Sequence, residues 1–160
     1  MSFDPRGYVM NQGDGDPKWF LDSRMTVVAG GEQSMGALTV IEWSAPVGFA
    51  PPMHIHHNDD EAFYVLDGEL TLSTGATAGP GAFVFLPRGI AHTFVVSGGP
   101  LRGLQITAPA GFERFVDDIG RPAEHDGFPE PMEPDVARLA QAAAQHGIEI
   151  VGPPLTFPSA

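Results

Sequence analysis

Short segments rich in β-branched and aromatic residues, separated by glycine- and proline-containing turns, fill the middle of this 160-residue chain. Such segments at close, regular spacing are typical of the antiparallel strands of a sandwich or barrel. Between two of them, Asp67-Gly68 is a strong signal for a two-residue hairpin turn. The predicted strands cover residues 24–29, 37–45, 61–66, 69–74, 82–86, 92–96 and 101–108.

Helical periodicity begins only after residue 110. Apolar residues recur at helical spacing in residues 112–119 and again in residues 135–146, which Gly147 follows as a stop signal. Residues 148–151 predict one more short strand. The chain is therefore predicted to be an all-β domain with a short helical C-terminal extension. Its predicted parts are a polar leader at residues 1–18, a β core at residues 19–108 and a helical extension packed on that core at residues 109–160.

The negative charge of the chain makes polyanionic partners and phosphorylated substrates unfavourable. Eight Lys and Arg residues against 20 Asp and Glu residues give a formal net charge of −12. Because clustered cations bind phosphates, neither nucleic acid nor an anionic membrane is a predicted partner. No Lys or Arg lies between Arg24 and Arg88, so a pocket built from the middle of the chain has no fixed cation for a phosphorylated substrate.

Cysteine content and terminal sequence bear on the location of the chain. There are no cysteines, which excludes disulfides, thiolate metal sites and a cysteine nucleophile. The first residues do not resemble a signal peptide, and no segment approaches the ~20 apolar residues of a membrane-spanning helix. These features favour a cytoplasmic protein.

The residues that carry chemistry are three histidines and one glutamate. His54 and His56 are two residues apart, and side chains at this spacing on a strand project to the same face. Glu61 and His92 follow on later predicted strands. Three neutral imidazoles and one carboxylate that converge form a site for one divalent transition metal, which can be Fe, Ni, Co, Mn, Cu or Zn. The alternative is that these four residues form a polar network without a metal. His57 follows His56 directly, so on a strand its side chain is predicted to face outward.

The spacing around these residues resembles the two signature motifs of the cupin superfamily. Residues 48–68 read G-x5-H-x-H-x4-E-x6-G, and residues 81–92 read G-x5-P-x-G-x2-H. The resemblance covers residues 36–108 and implies a small antiparallel jelly-roll barrel. The metal ligands that it implies, facing the lumen, are His54, His56, Glu61 and His92.

The surrounding sequence is similar to a narrower group, the bacterial single-domain cupins described as quercetin 2,3-dioxygenase-like. The similar segments are PPMHIH at 51–56, EAFYVLDG at 61–68, GFERFV at 111–116 and GIEIVGPP at 147–154. This resemblance implies a dioxygenase for a flavonol-like or other enolisable aromatic substrate, with O2 as candidate co-substrate, and a homodimer. One departure is Val96, which stands where the second motif usually has an asparagine and makes the lumen more apolar.

Strand parity predicts which side chains surround the metal. If Glu61 and His92 face the lumen, residues two and four positions farther along their strands face it too. The predicted substrate pocket comprises Phe63, Val65, Phe94 and Val96. These apolar side chains, without a nearby cation, suit a small aromatic or phenolic substrate, and the outward Tyr64 and Leu66 are compatible with a dimer.

Three function classes stay open from the residues alone. In the first, Glu61 is catalytic: it accepts a proton from a bound phenol or enol, and the electron-rich substrate reacts with oxygen. In the second, the same residues carry out redox-free isomerase, lyase or decarboxylase chemistry. In the third, the barrel binds a small molecule without turnover. The resemblance favours an enzyme of the first class.

Overall fold

A computed structural model describes residues 6–156; residues 1–5 of the predicted leader and residues 157–160 of the predicted extension lie outside it. Within this part of the chain there are twelve β-strands and three α-helices. None of the described helices combines the length and apolarity needed to cross a membrane. The strands are β1 (Lys18–Phe20), β2 (Ser23–Ala29), β3 (Thr39–Ala45), β4 (Pro52–His56), β5 (Asp60–Asp67), β6 (Leu70–Leu72), β7 (Thr77–Ala78), β8 (Phe83–Leu86), β9 (Phe94–Val96), β10 (Leu101–Ala108), β11 (Arg121–Pro122) and β12 (Ile148–Pro154). The helices are α1 (Gly31–Ser34), α2 (Phe112–Ile119) and α3 (Val136–Gln145).

The described strands form one large and two small antiparallel sheets. The large sheet has the order β11-β1-β2-β3-β10-β5-β8, and the small sheets are β12-β4 and β7-β6-β9. The small sheets are linked at His54 and His92, whose backbones exchange two hydrogen bonds of 3.0 and 2.9 Å. β4 therefore lies between β12 and the segment that leads into β9.

The core lies where side chains of the large sheet meet those of the small sheets. Trp43 of β3 packs on Phe63 of β5 and on Phe94 of β9, with ring centroids 5.2 and 5.5 Å apart. Burial alternates along β3 and along β10, which is the period-two pattern of a strand with one face turned inward. The predicted all-β class, with antiparallel sheets around an apolar interior and short helices at the end, is confirmed.

The turn at Asp67-Gly68 is not the hairpin that the sequence predicts. β5 pairs with β8 and β10, whereas β6 pairs with β7 and β9, so the turn carries the chain from the large sheet to a small one. Gly68 has a φ of 78°, and a Cβ atom there would lie 2.5 Å from the carbonyl oxygen of Pro100. The hairpin prediction is wrong because the dipeptide signals a reversal with positive φ but does not specify the pairing partner.

The C-terminal segments cover one side of the barrel. Phe112 and Phe115 of α2 pack on Phe20 of β1, with ring centroids 6.0 and 5.2 Å apart. α3 buries Leu139 and Ala143, and β12 continues from it to pair with β4. Both helices cover the residues where helical periodicity predicts them. The division into leader, barrel and extension stays a prediction.

Candidate metal centre

The four predicted ligands come together where β4 meets the segment before β9. His54 and His56 lie on β4, and Glu61 lies on β5. His92 lies two residues before β9. One nitrogen or oxygen atom from each residue lies within 4.8 Å of those of the other three, and all but His54 are buried. The structure thus gathers these four residues, while their role as metal ligands stays a prediction.

The carboxylate of Glu61 divides its two oxygens between the histidines and an amide. Its Oε2 is 3.1 Å from Nε2 of His92 and 3.8 Å from Nε2 of His56. Its Oε1 accepts a 2.6 Å hydrogen bond from Nε2 of Gln105. The ring of His54 completes the group, with its centroid 4.5 Å from that of His92. Glu61 therefore directs one oxygen toward the histidines while Gln105 holds the other.

Each histidine of the cluster has an acceptor for a proton on Nδ1. In His54 and His92, Nδ1 lies 2.7 and 3.0 Å from a backbone carbonyl oxygen two residues earlier. In His56, Nδ1 lies 2.9 Å from Oδ2 of the buried Asp59. Because these oxygens accept and do not donate, a neutral imidazole of His54 or His56 carries its proton on Nδ1 and leaves the lone pair of Nε2 free. Nε2 of His92 is hydrogen-bonded to Glu61, and its lone pair becomes free only when that hydrogen bond is given up.

The free Nε2 lone pairs fit a divalent transition metal. Nε2 of His56 is buried and has no hydrogen-bond partner among the described residues. A buried polar atom without a partner is unfavourable unless something satisfies it. Three imidazole nitrogens and one carboxylate oxygen are a donor set suited to such an ion, and Asp59 behind His56 is the outer partner that metal-bound histidines commonly have. The cluster could therefore hold a metal.

The charges of the cluster set the protonation of its members. Burial disfavours the ionised form of Glu61, but the charge of His56 and the hydrogen bond from His92 outweigh burial and lower the pKa of Glu61 to about 2. Burial lowers the pKa of His54 to about 4, against the attraction of Glu61. Burial also acts to lower the pKa of His56, but Glu61 and Asp59 stabilise its imidazolium and raise that pKa. At neutral pH, Glu61 is thus a carboxylate and His54 a neutral imidazole, the forms that bind metals.

A cavity opens inside the barrel beside the cluster. Its empty volume, including the open space at its mouth, is about 580 Å³. Phe63 and Phe94 belong to its wall, with ring centroids 5.1 Å apart. Among the described residues that line it there is no Lys or Arg, in agreement with the cation-free pocket that the sequence predicts. Val65 and Val96 are buried in the core and are not among the described lining residues.

The C-terminal segments form one wall of this cavity. Phe112 of α2 lies over the ring of His56, with centroids 5.8 Å apart and an angle of 30° between the planes. Helical periodicity predicts only a covering helix here, because it does not show which part of the barrel the helix covers. The wall residues from α2, α3 and β12 are Phe112, Phe115, Leu139, Ala143, Ile148 and Ile150.

Sequence reasoning missed two residues of the site, Asp59 and Gln105. Asp59 stands in the polar run between the first motif's histidines and its glutamate, where the sequence predicts only a turn. Gln105 could have been found, because strand parity places it on the buried face of β10, where an amide requires partners. His57 faces outward as predicted: its side chain is 50% exposed and pairs with Glu149 at 2.8 Å.

Sequence comparison identifies the barrel. Residues 41–107 match the model of the cupin domain. The quercetin 2,3-dioxygenase of Bacillus subtilis (strain 168) is 27% identical to this chain over 150 residues, which are 91% of this chain and 44% of that protein. The chain therefore spans less than half the length of this relative.

Solved structures agree with the sequence comparison on the fold. KdgF from Halomonas sp. has a TM-score of 0.59 at 17% identity, over 68% of this chain and 98% of that one. The polyketide cyclase RemF from Streptomyces resistomycificus has a TM-score of 0.54 at 18% identity, over 80% of this chain and 87% of that one. The matched residues include all four members of the His/Glu cluster, so residues 41–107 form a cupin domain, and the solved structures share its fold.

Proposed function

We propose that the chain is a metal-dependent dioxygenase that acts on a flavonol-like or other enolisable aromatic substrate, with His54, His56, Glu61 and His92 as metal ligands. The observation that carries this proposal is the position of the cluster at a cavity with an aromatic, cation-free wall. The 27% identity to a quercetin 2,3-dioxygenase supports the same substrate class. An aromatic substrate gains from apolar burial here, whereas a phosphorylated one meets no cation.

The four side chains determine what chemistry a bound metal ion would supply. A divalent ion held by three neutral imidazoles and one carboxylate would supply a positive charge that favours the ionised form of a bound phenol or enol, and a redox partner for oxygen. Glu61 is ionised at neutral pH and is therefore available both as a ligand and as the acceptor of the substrate proton. Gln105 restrains Glu61 through its Oε1, so that Oε2 is the oxygen left to take part in the chemistry.

The walls of the cavity orient the substrate and exclude water. We assign contacts with a flat ring to Phe63 and Phe94, and we assign Val65 and Val96 to the packing behind them. Phe112 covers His56 from the side of α2, which keeps solvent from the cluster on that side.

The proposal is tested by mixing the metal-loaded protein with quercetin under anaerobic conditions and then admitting air. We expect loss of the flavonol absorption band and release of carbon monoxide, since the reaction takes both atoms of O2 into the product and expels one ring carbon as CO. Elemental analysis of protein purified without added metal comes first, because iron, nickel, cobalt or manganese would favour this route. Absence of oxygen uptake with quercetin and with other enolisable phenols would contradict the proposal.

A redox-free isomerase, lyase or decarboxylase is the second candidate. It is favoured by the same ionised Glu61, which can move a proton on a substrate whose carbonyl is polarised by the ion. Replacement of the native metal by zinc separates the two candidates, because proton transfer should survive it and metal redox chemistry should not. If neither reaction occurs while alanine at Glu61 lowers metal content, the chain is a binding protein.

Dimerisation and cytoplasmic location stay predictions. The homodimer would use the outward face of β5 and β8, where Tyr64, Leu66, Phe83 and Phe85 are exposed. β8 is one of the two outer strands of the large sheet within the described residues, so a second copy could approach it without displacing a neighbour.

A further inference from the structure

Gln105 is a buried polar residue in the wall of an otherwise apolar part of the cavity. On β10 it lies between Ile41 of β3 and Phe63 of β5, and all three are buried. Its side chain is 4% exposed and lines the cavity. An amide at such a position is unfavourable unless both of its ends find hydrogen-bond partners.

Glu61 determines how the amide of Gln105 is oriented. An ionised carboxylate only accepts hydrogen bonds, so the end of Gln105 that lies 2.6 Å from Oε1 of Glu61 must be the NH2 group. The other end is then the carbonyl oxygen. This oxygen has no hydrogen-bond partner among the described residues. The cavity wall therefore presents an acceptor that no described residue satisfies and that is not completely buried.

We propose that Gln105 is a specificity-determining residue whose amide oxygen accepts a hydrogen bond from a hydroxyl group of the substrate. This inference rests on the proposed function, because it takes a hydroxylated aromatic compound as the ligand of the cavity. The free atom is an acceptor, so a phenolic or enolic O–H satisfies it, whereas a carbonyl, an ether or an unsubstituted ring does not. One rigid, planar group thus links the substrate hydroxyl to the carboxylate of Glu61.

The inference predicts that recognition of hydroxyl groups depends on this amide. The probes are quercetin, which carries hydroxyls, and flavone, which has the same ring skeleton without them. Binding of each is measured by calorimetry without oxygen, using zinc-loaded wild-type protein and zinc-loaded Gln105→Met. The methionine side chain has similar length, no hydrogen-bond donor and only a weakly accepting sulfur. We expect the substitution to weaken quercetin binding about tenfold, the effect of one buried hydrogen bond, and to leave flavone binding unchanged.

The control is Leu139→Met, which alters an apolar residue that lines the same cavity and should affect both probes equally. Equal weakening of both probes by Gln105→Met, or no weakening of quercetin binding, would overturn the inference and leave the proposed function standing. Failure of the wild-type protein to bind either probe would instead contradict the proposed substrate class, and the inference with it.

A second measurement keeps the inference testable if Gln105→Met does not fold or does not retain zinc. In wild-type protein labelled with 15N-glutamine, the side-chain amide resonances of Gln105 should shift when quercetin is added and stay in place with flavone. Those of Gln33, whose side-chain oxygen accepts a hydrogen bond from Gly30 at the start of α1, should stay in place with both. Equal responses of Gln105 to the two compounds would refute the proposed hydrogen bond.

Discussion

Substitution of Asp59 by asparagine should weaken metal binding without changing any predicted ligand. Oδ2 of Asp59 lies 2.9 Å from Nδ1 of His56, and both residues are buried. His54 and His92 have only a neutral backbone carbonyl in the equivalent place. His56 is therefore the imidazole whose basicity depends on a full negative charge behind it.

The structure sets the size of the expected effect. Asparagine can still accept the Nδ1–H of His56 through its amide oxygen, so it removes the charge and keeps the orientation. Hydrogen bonds to charged groups contribute about 1 kcal/mol more than neutral ones, which corresponds to roughly a fivefold to tenfold loss of affinity. Alanine at Asp59 also removes the acceptor, so His56 can move its proton to Nε2 and lose its free lone pair. For this variant we expect a loss closer to about 100-fold.

The assay is competition for zinc with a chromophoric chelator, together with near-UV circular dichroism to verify the fold. Glu149→Gln is the matched control, because Glu149 pairs with His57 at 2.8 Å in the same way but on the exposed surface. It should leave zinc affinity unchanged. Zinc affinity of Asp59→Asn within twofold of the wild type, or an equal loss in Glu149→Gln, would refute the argument.

Four further outcomes can be measured. Gly89→Val should lower metal content, measured by mass spectrometry, because Gly89 has a φ of 77° and donates a 2.8 Å hydrogen bond to the carbonyl of His56. A valine in this left-handed conformation costs about 1–2 kcal/mol of conformational free energy. Gly75→Val, with a φ of 86° in the turn between β6 and β7, should lower the melting temperature and leave the metal content of the folded protein unchanged. Zinc affinity should fall as pH drops below the pKa of His56, because protons compete for the imidazole that binds the ion; despite burial, Glu61 and Asp59 hold this pKa above its ordinary value. A flat calorimetric profile from about pH 5 to pH 8 would count against this reasoning. Phe85→Ser should convert a dimer into a monomer in sedimentation velocity, and a wild-type protein that is already monomeric would show the dimer prediction to be wrong.

Local periodicity was sufficient to predict most of the strands and both longer helices. The buried face of β3 and of β10 repeats every two residues, and that of α2 repeats at helical spacing, so each is readable without knowledge of its neighbours. The strands with which β5 and β6 pair could not be predicted, because Asp67-Gly68 indicates a chain reversal but not the sheet to which each strand belongs. Very short strands such as β7 and β11 carry two residues each, too few to show a period.

The candidate site was predictable where it depended on spacing and unpredictable where it depended on tertiary packing. His54 and His56 share a face because of strand geometry, and the spacing to Glu61 follows the cupin motif. The contact between Asp59 and His56 arises from the curvature of the loop between β4 and β5, which parity does not describe. Phe112 reaches the cluster only because α2 packs across the barrel, a contact between residues 56 positions apart in the chain.

The pairing of β12 with β4 has a consequence for biosynthesis. Ile148 lies opposite His56 and Ile150 opposite His54, so the strand that bears two of the candidate ligands gains its outer neighbour only when residues 148–154 are available. A nascent chain that has emerged from the ribosome only as far as Gly147 already contains every member of the cluster, but its β4 has an open edge and its cavity lacks Ile148 and Ile150. If the cluster binds an ion, it therefore reaches its final setting for that ion only after β12 has paired with β4, and not when the histidines emerge.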